Sequence, residues 1–149
     1  MAVRVQEADF DIAAEIAALT ATDRDIGAVV SFTGLVREIA GGGADQRMTL
    51  EHYPAMTERA LAEIEAQARA RWPLSGVAII HRVGPLAPGD NIVLVLAASR
   101  HRHAAFEAAA FLMDYLKTRA PFWKKEAGAS GEAWVDARES DEAAVARWG

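Results

Sequence analysis

Apolar residues recur along this chain with two periods, one of strands and one of helices. Residues 2–6 (AVRVQ) alternate apolar and polar positions, as a short strand does. Residues 11–20 (DIAAEIAALT) read as a helix whose acidic start suits the positive end of its dipole. Residues 26–33 (IGAVVSFT) are predicted as a buried strand from their β-branched and aromatic content, and 47–53 (RMTLEHY) as another. Between them, 38–46 (EIAGGGADQ) is expected to be a loop, because three consecutive glycines carry a heavy entropy cost in regular structure. The helical period is plainest over 55–72. There Met56, Ala60, Ile64, Ala68 and Trp72 recur every fourth residue, Leu61 broadens the stripe and Pro73 stops it. Residues 76–83 and 91–98 are predicted strands, joined by GPLAPGD with its Pro88-Gly89-Asp90 turn. A second long helix is predicted over 102–119, with Phe106, Ala109, Met113 and Leu116 on its apolar face and Pro121 at its end. Residues 122–126 and 132–136 predict a closing hairpin, and the tail (SDEAAVARW) is either a short amphipathic helix or disordered.

The resulting order, β-α-β-β-α-β-β-α-β-β, lets long helices return the chain to a mostly antiparallel sheet. That is an α+β protein built as a two-layer sandwich. No repeat or linker divides it, so residues 1–149 are expected to form a single domain, with 137–149 as a flexible tail.

Composition narrows the possible functions. A chain of 149 residues, 52% hydrophobic and 25% charged, has the balance of a soluble folded domain. No apolar run approaches the roughly 18 residues a membrane helix needs, and MAVRVQEADFD lacks a signal-peptide pattern, so a cytoplasmic location is expected. Cysteine is absent, which removes disulfides, thiolate metal sites and a cysteine nucleophile. Any sulfur this chain handles must arrive on another molecule. The net charge of −5 argues against general nucleic-acid binding. Neither a strand–GxGxxG–helix unit nor a P-loop is present, so dinucleotide and NTP binding are unsupported.

The basic residues are unevenly distributed. There are 13 Arg and 3 Lys, and all three lysines (Lys117, Lys124 and Lys125) fall within nine residues. Arg stays protonated in proteins, whereas Lys can give up its proton when desolvated or set near other cations. A segment that keeps lysine in an arginine-rich chain is therefore a candidate for amine chemistry; chance, or a solvated surface, is the competing reading. Lys117 borders the apolar face of its helix, one residue after Leu116 and four after Met113. In a strand, Lys124 and Lys125 point to opposite sides, so one of them can share a pocket with Lys117. Two ammonium groups in one partly desolvated pocket lower each other's pKa. The competing reading is a lysine answering the helix dipole and two solvated strand lysines.

His101 and Arg102 precede a predicted helix, where backbone N–H groups favour anions. Arg37 leaves a strand into the glycine-rich loop, the place for a lid over a ligand. His52 and His81, inside apolar strands, read as structural. With four His, no Cys and no carboxylate cluster beside His101 and His103, no metal site is expected.

Several segments together resemble one family. Gly27-Ala-Val-Val-Ser-Phe-Thr-Gly-Leu-Val-Arg37, Leu50-Glu-His-Tyr-Pro54, His81-Arg-Val-Gly84, Pro88-Gly-Asp90, His101-Arg102, Ala105-Phe-Glu-Ala108 and above all Met113-Asp-Tyr-Leu-Lys-Thr-Arg-Ala-Pro-Phe-Trp-Lys-Lys-Glu126 are similar, in order, to the large subunit of molybdopterin synthase. The resemblance implies a hammerhead-like α/β sandwich with an additional small β subdomain. It also implies a sulfurtransferase of molybdenum-cofactor biosynthesis, which converts cyclic pyranopterin monophosphate to molybdopterin by installing a dithiolene. The sulfur would come from the thiocarboxylated C-terminal Gly-Gly of a small ubiquitin-like subunit, with no cofactor of the chain's own. Two large subunits would form a dimer within a heterotetramer. By position, Lys117 and Lys124 match the catalytic lysines, Arg37, His101 and Arg102 match substrate-anion contacts, and Leu35, Val36, Lys125 and Glu126 line the matched binding segments. The sequence departs from the family's pattern in the loop EIAGGGADQ and at Arg100. A non-catalytic anion-binding or ubiquitin-like-protein-binding module is the alternative, and the lysine cluster argues against it.

Helix length adds an inference of its own. His101 and Lys117 lie 16 residues apart on one predicted helix, about 24 Å at 1.5 Å per residue. One small pterin cannot touch both, so His101 and Arg102 are expected to complete the pocket of the neighbouring large subunit.

Overall fold

A computed structural model describes residues 3–38, 47–120, 122–128, 131–135 and 139–148, with side chains left out at 47 and 123–142. Its elements run β1 (Val3–Gln6), α1 (Ile12–Thr20), β2 (Ala28–Leu35), β3 (Arg47–His52), α2 (Met56–Arg71), β4 (Gly76–Arg82), β5 (Gly84–Leu86), β6 (Asn91–Ser99), α3 (Arg102–Arg119), β7 (Phe122–Gly128), β8 (Gly131–Val135) and α4 (Glu139–Ala146). The expected loop conformation at 38–46 falls almost wholly outside the described residues.

The strands form two four-stranded sheets, ordered β1-β4-β6-β2 and β5-β3-β7-β8. Only β1 and β4 pair in parallel among these strands; the other pairs are antiparallel. The α+β class, the mostly antiparallel sheet and the added small β unit are therefore all present. On one face of the first sheet, Leu61, Ile64 and Ala68 of α2 and Phe111, Leu112 and Leu116 of α3 pack on Val77, Ile79, Val93 and Val95. On the opposite face, Ile12, Ile16 and Leu19 of α1 pack on Ile80, Leu94 and Leu96. Helices on both faces explain why β6 is apolar nearly throughout rather than alternating. The second sheet has its own core of Val36, Met48, Leu50 and Leu86.

Local chemistry sets the element ends. Asp11 caps α1, its carboxylate accepting from the Ala14 N–H at 3.1 Å. Gly89, at φ 92°, makes the turn before β6, where the Asp90 carboxylate accepts from the Ala87 N–H at 2.9 Å.

Three sequence expectations need correction. The apolar face of α2 is Thr57, Leu61, Ile64 and Ala68, while Met56 is 60% exposed. Thr57 is buried because its hydroxyl donates to the Tyr53 carbonyl at 2.9 Å, which satisfies it inside the core. On α3, Phe106 is 62% exposed, and alanines 104, 105, 108 and 109 take its expected place against the sheet. Their small side chains let helix and sheet approach closely. The segment read only as a turn contains β5, which pairs Leu86 with Met48; three residues including Pro85 are too short to show alternation. The tail forms α4, with Val145 buried against the body.

Candidate active site

The path of the chain through the first sheet decides which candidate residues can meet. β6 runs from Asn91 to Ser99, and α3 begins just beyond and returns over the same sheet. β2 runs antiparallel to β6, with Ala28 opposite Ser99 and Leu35 opposite Asn91. The end of α3 that carries Lys117 therefore lies at the same end of the sheet as Leu35, Val36 and Arg37. His101 and Arg102 lie at the other end, beside the start of β2, where the Gly27 N–H donates to the Ser99 carbonyl at 3.0 Å. One helix of 18 residues joins the two ends, which leaves the separation of about 24 Å between His101 and Lys117 unbroken.

The second sheet reaches the Lys117 end through β7. Phe122 packs against the α2–α3 core and stacks on His81, the ring centroids 3.8 Å apart. From there β7 pairs with β3, setting Lys124 opposite Leu50, Lys125 opposite Thr49 and Glu126 opposite Met48. Leu50 and Met48 are the residues on which Val36 packs. Three segments thus converge: 35–37, the last turns of α3, and the β3–β7 ladder at 124–126. The expected side-chain directions of Lys124, Lys125 and Glu126 lie outside the described residues.

Individual residues differ in what they can offer. Lys117 is exposed, next to the buried Leu116. Leu35 and Arg37 are exposed. The Val36 side chain is in the core, its N–H donates to the Asp90 carbonyl at 2.9 Å, and its carbonyl accepts from the Gly89 N–H at 2.8 Å. Val36 therefore anchors the segment that presents its two neighbours. His101 occupies the N-cap of α3 without a side-chain capping bond, and His101 and Arg102 are exposed. That leaves the first N–H groups of the helix available to an anion.

The floor at the Lys117 end is tied by polar contacts. Arg82 donates from Nη1 to the Asn91 carbonyl at 2.9 Å and from Nε to the Glu7 carbonyl at 3.0 Å. Asp9 accepts from the Asn91 amide at 3.0 Å and the Phe10 N–H at 2.8 Å. These bonds, the Asn91 one foremost, hold its carboxyl below the ordinary range, with a smaller contribution from Arg82. His81 and His52 play structural parts at the seam of the two sheets. His81 is buried with Nδ1 at 2.8 Å from the Arg82 carbonyl. His52 pairs in register with Phe122, and its Nδ1 has no hydrogen-bond partner. Among the described residues, no group of three or more His, Asp or Glu is placed to hold a metal ion, and no helix is long and apolar enough to cross a membrane.

Sequence reasoning missed one cluster, around Asp114. Its carboxylate accepts from the Trp148 indole N–H at 2.5 Å and pairs with Arg147 at 3.1 Å. The available signal was a lone acidic residue three positions before Lys117, which has no meaning until the tail is seen folded back on α3.

Comparison with known proteins shows the family to which the chain belongs. A family model described as MoaE protein matches residues 5–119. A molybdopterin synthase catalytic subunit from Ralstonia nicotianae is 60% identical over 147 residues, covering 99% of this chain and 84% of its own. The structure titled molybdopterin biosynthesis MoaE protein from Burkholderia ambifaria superposes with a TM-score of 0.85 at 53% identity, covering 100% of this chain and 99% of its own. A more distant fold relative from Helicobacter pylori, 18% identical with a TM-score of 0.77 over 93% of this chain and 92% of its own, was solved as a protein–protein complex of subunits 1 and 2 of molybdopterin-converting factor.

Proposed function

Because the chain belongs to the MoaE protein family, whose curated relatives are molybdopterin synthase catalytic subunits, we propose that it converts cyclic pyranopterin monophosphate to molybdopterin with sulfur carried by a second protein. The carrier is a small ubiquitin-like subunit ending in a Gly-Gly thiocarboxylate. In each transfer the carrier's sulfur replaces an oxygen on a pterin side-chain carbon, a C–O bond breaking as the C–S bond forms, and water then cleaves the acyl C–S bond and leaves the carrier as a carboxylate. Two transfers give the dithiolene. The absence of cysteine supports an external sulfur source, and the chain then uses no resident cofactor. It also suits work in the cytoplasm.

The observation that carries this reading is the convergence of Arg37, Lys117 and the Lys124 register position at one end of the first sheet. In our reading Lys117 polarises the thiocarboxylate carbonyl or moves a proton to it, and Lys124 is the second acid/base at the pterin side chain. Arg37 holds the phosphate with charge-assisted hydrogen bonds. Leu35, Lys125 and Glu126 line the approach, and Val36 fixes it from beneath. His101 and Arg102 of a second copy complete the anion site. The Helicobacter complex supports a small-subunit partner, since a chain of this fold pairs there with another subunit. We assign the assembly as two large subunits with one carrier each.

The decisive measurement is product formation by the Lys117→Ala chain, supplied with thiocarboxylated small subunit and the pterin precursor. Turnover should fall by about a hundredfold or more, the scale of a lost acid/base or electrostatic group, with the far-ultraviolet circular dichroism unchanged. Full turnover in that variant would remove Lys117 from the chemistry.

A further inference from the structure

We propose that the turn after the C-terminal helix α4, Arg147-Trp148, is a clasp that positions Lys117 by holding Asp114 of the same α3 turn. This inference rests on the reading of Lys117 as a reacting group and adds a residue set that the reaction itself does not use.

Asp114 and Lys117 are three residues apart on α3, neighbours on one side of that helix. The sheet-facing side of the same turns is fixed by Phe111, Leu112 and Leu116, all buried. The other side is held by α4. Val145 is buried, and the Trp148 ring meets Phe111 and Trp72 edge-on at centroid distances of 5.5 and 5.6 Å. Trp148 donates its indole N–H to Asp114 Oδ2 at 2.5 Å, and Arg147 Nη2 lies 3.1 Å from the same oxygen. Arg71 of α2 then closes the clasp by donating to the Trp148 carbonyl at 2.7 Å. The tail is thereby joined to α3 at the Asp114 carboxylate, one turn before Lys117, and to α2 at the Trp148 carbonyl.

The chemistry of the clasp points to positioning rather than plain adhesion. The Trp148, Trp72 and Phe111 rings already supply apolar packing, and a leucine at 114 would add more without a desolvated charge. A half-buried carboxylate engaged by an indole N–H and a guanidinium instead fixes direction, because both bonds have strict geometry. It also commits the Asp114 oxygen to the turn after α4.

The test uses the full chain with thiocarboxylated small subunit and precursor, comparing Trp148→Phe, Asp114→Ala, Asp114→Asn and Lys117→Ala, with melting temperatures for each. Trp148→Phe keeps most of the ring packing and loses the N–H donor. Asp114→Asn keeps an oxygen acceptor for Trp148. The clasp predicts that kcat falls about tenfold in Trp148→Phe and Asp114→Ala at temperatures where both are folded, the scale of a misplaced catalytic group. KM for the precursor should stay within about twofold, because uniform binding is untouched, and Asp114→Asn should recover most of the loss. Should Asp114→Ala fail to fold, Trp148→Phe carries the comparison. Unchanged kcat in the folded clasp variants, whatever their melting temperature, overturns the proposal, as does an Asn variant no better than Ala. Full activity in Lys117→Ala would instead overturn the assignment of Lys117, so the two failures are separable.

Discussion

Ala55 has φ 68° and ψ −45°, and the Met56 N–H donates to the Pro54 carbonyl across it at 2.8 Å. That is a γ-turn of the rare kind, in a region where a Cβ is strained at about 1–3 kcal/mol. It is the sharp corner that takes the chain from β3 into α2, and it allows Thr57 to tuck its hydroxyl onto the Tyr53 carbonyl. Glycine at 55 removes the Cβ strain but frees the unfolded chain, at about 0.5–1 kcal/mol. The net expectation for Ala55→Gly is a stabilisation of about 1 kcal/mol, seen as a melting temperature higher by about 2–4 °C. A lower melting temperature would mean that the corner is not strained in solution. No sequence pattern announces this corner, because alanine is ordinarily a helix former and Pro54 only marks that a turn is near.

Among elements, α2 separates what periodicity can reveal from what it cannot. Its limits, Met56–Arg71, follow from Pro54 and Pro73, and its existence from the four-residue repeat. Its phase is less legible. Met56 and Leu61 are both apolar, so two stripes one residue apart fit the sequence. The structure selects the one through Thr57 and Leu61, because Thr57 can satisfy its hydroxyl within the turn. The difference is measurable. Leu61→Ala should cost about 2–5 kcal/mol, the range for deleting a fully buried leucine side chain, whereas Met56→Ala should stay within about 0.5 kcal/mol as an exposed change. Comparable losses from both, measured by denaturant unfolding, would restore the sequence-derived phase. The same limit applies to α3. Its span was legible to the residue, but the alanine-rich face that lies on the sheet is quiet in a pattern of large apolar side chains, so Phe106 drew the assignment instead. The candidate site was legible as a set of segments, from clustered lysines and matched motifs. What could not be read was that the tail folds back to Asp114, since an ion pair between residues 33 apart leaves no local signal.

For the whole molecule, a two-fold dimer would account both for the exposed edge of the first sheet and for expected anion contacts set at its opposite ends. β2 is an outer strand whose other side pairs with no strand among the described residues. Phe32 and Leu35 on it, and Phe106 on the neighbouring α3, are the larger exposed apolar side chains of this side. An open strand edge with exposed aromatics is normally covered, and a two-fold axis beside β2 would cover it with its own copy. Antiparallel pairing about such an axis sets the start of one β2 against the end of the other. The start lies beside His101 and Arg102, and the end leads into Leu35, Val36 and Arg37. Each pocket would then draw Lys117 from one chain and His101 and Arg102 from its partner. Co-expression of a His101→Ala/Arg102→Ala chain with a Lys117→Ala chain tests this quantitatively. Random pairing makes about half the dimers mixed, and each mixed dimer holds one intact and one doubly defective pocket, so about a quarter of the parent activity should return. Pockets built within single chains give no intact site in any pairing, and activity would stay at the level of the two mutants alone.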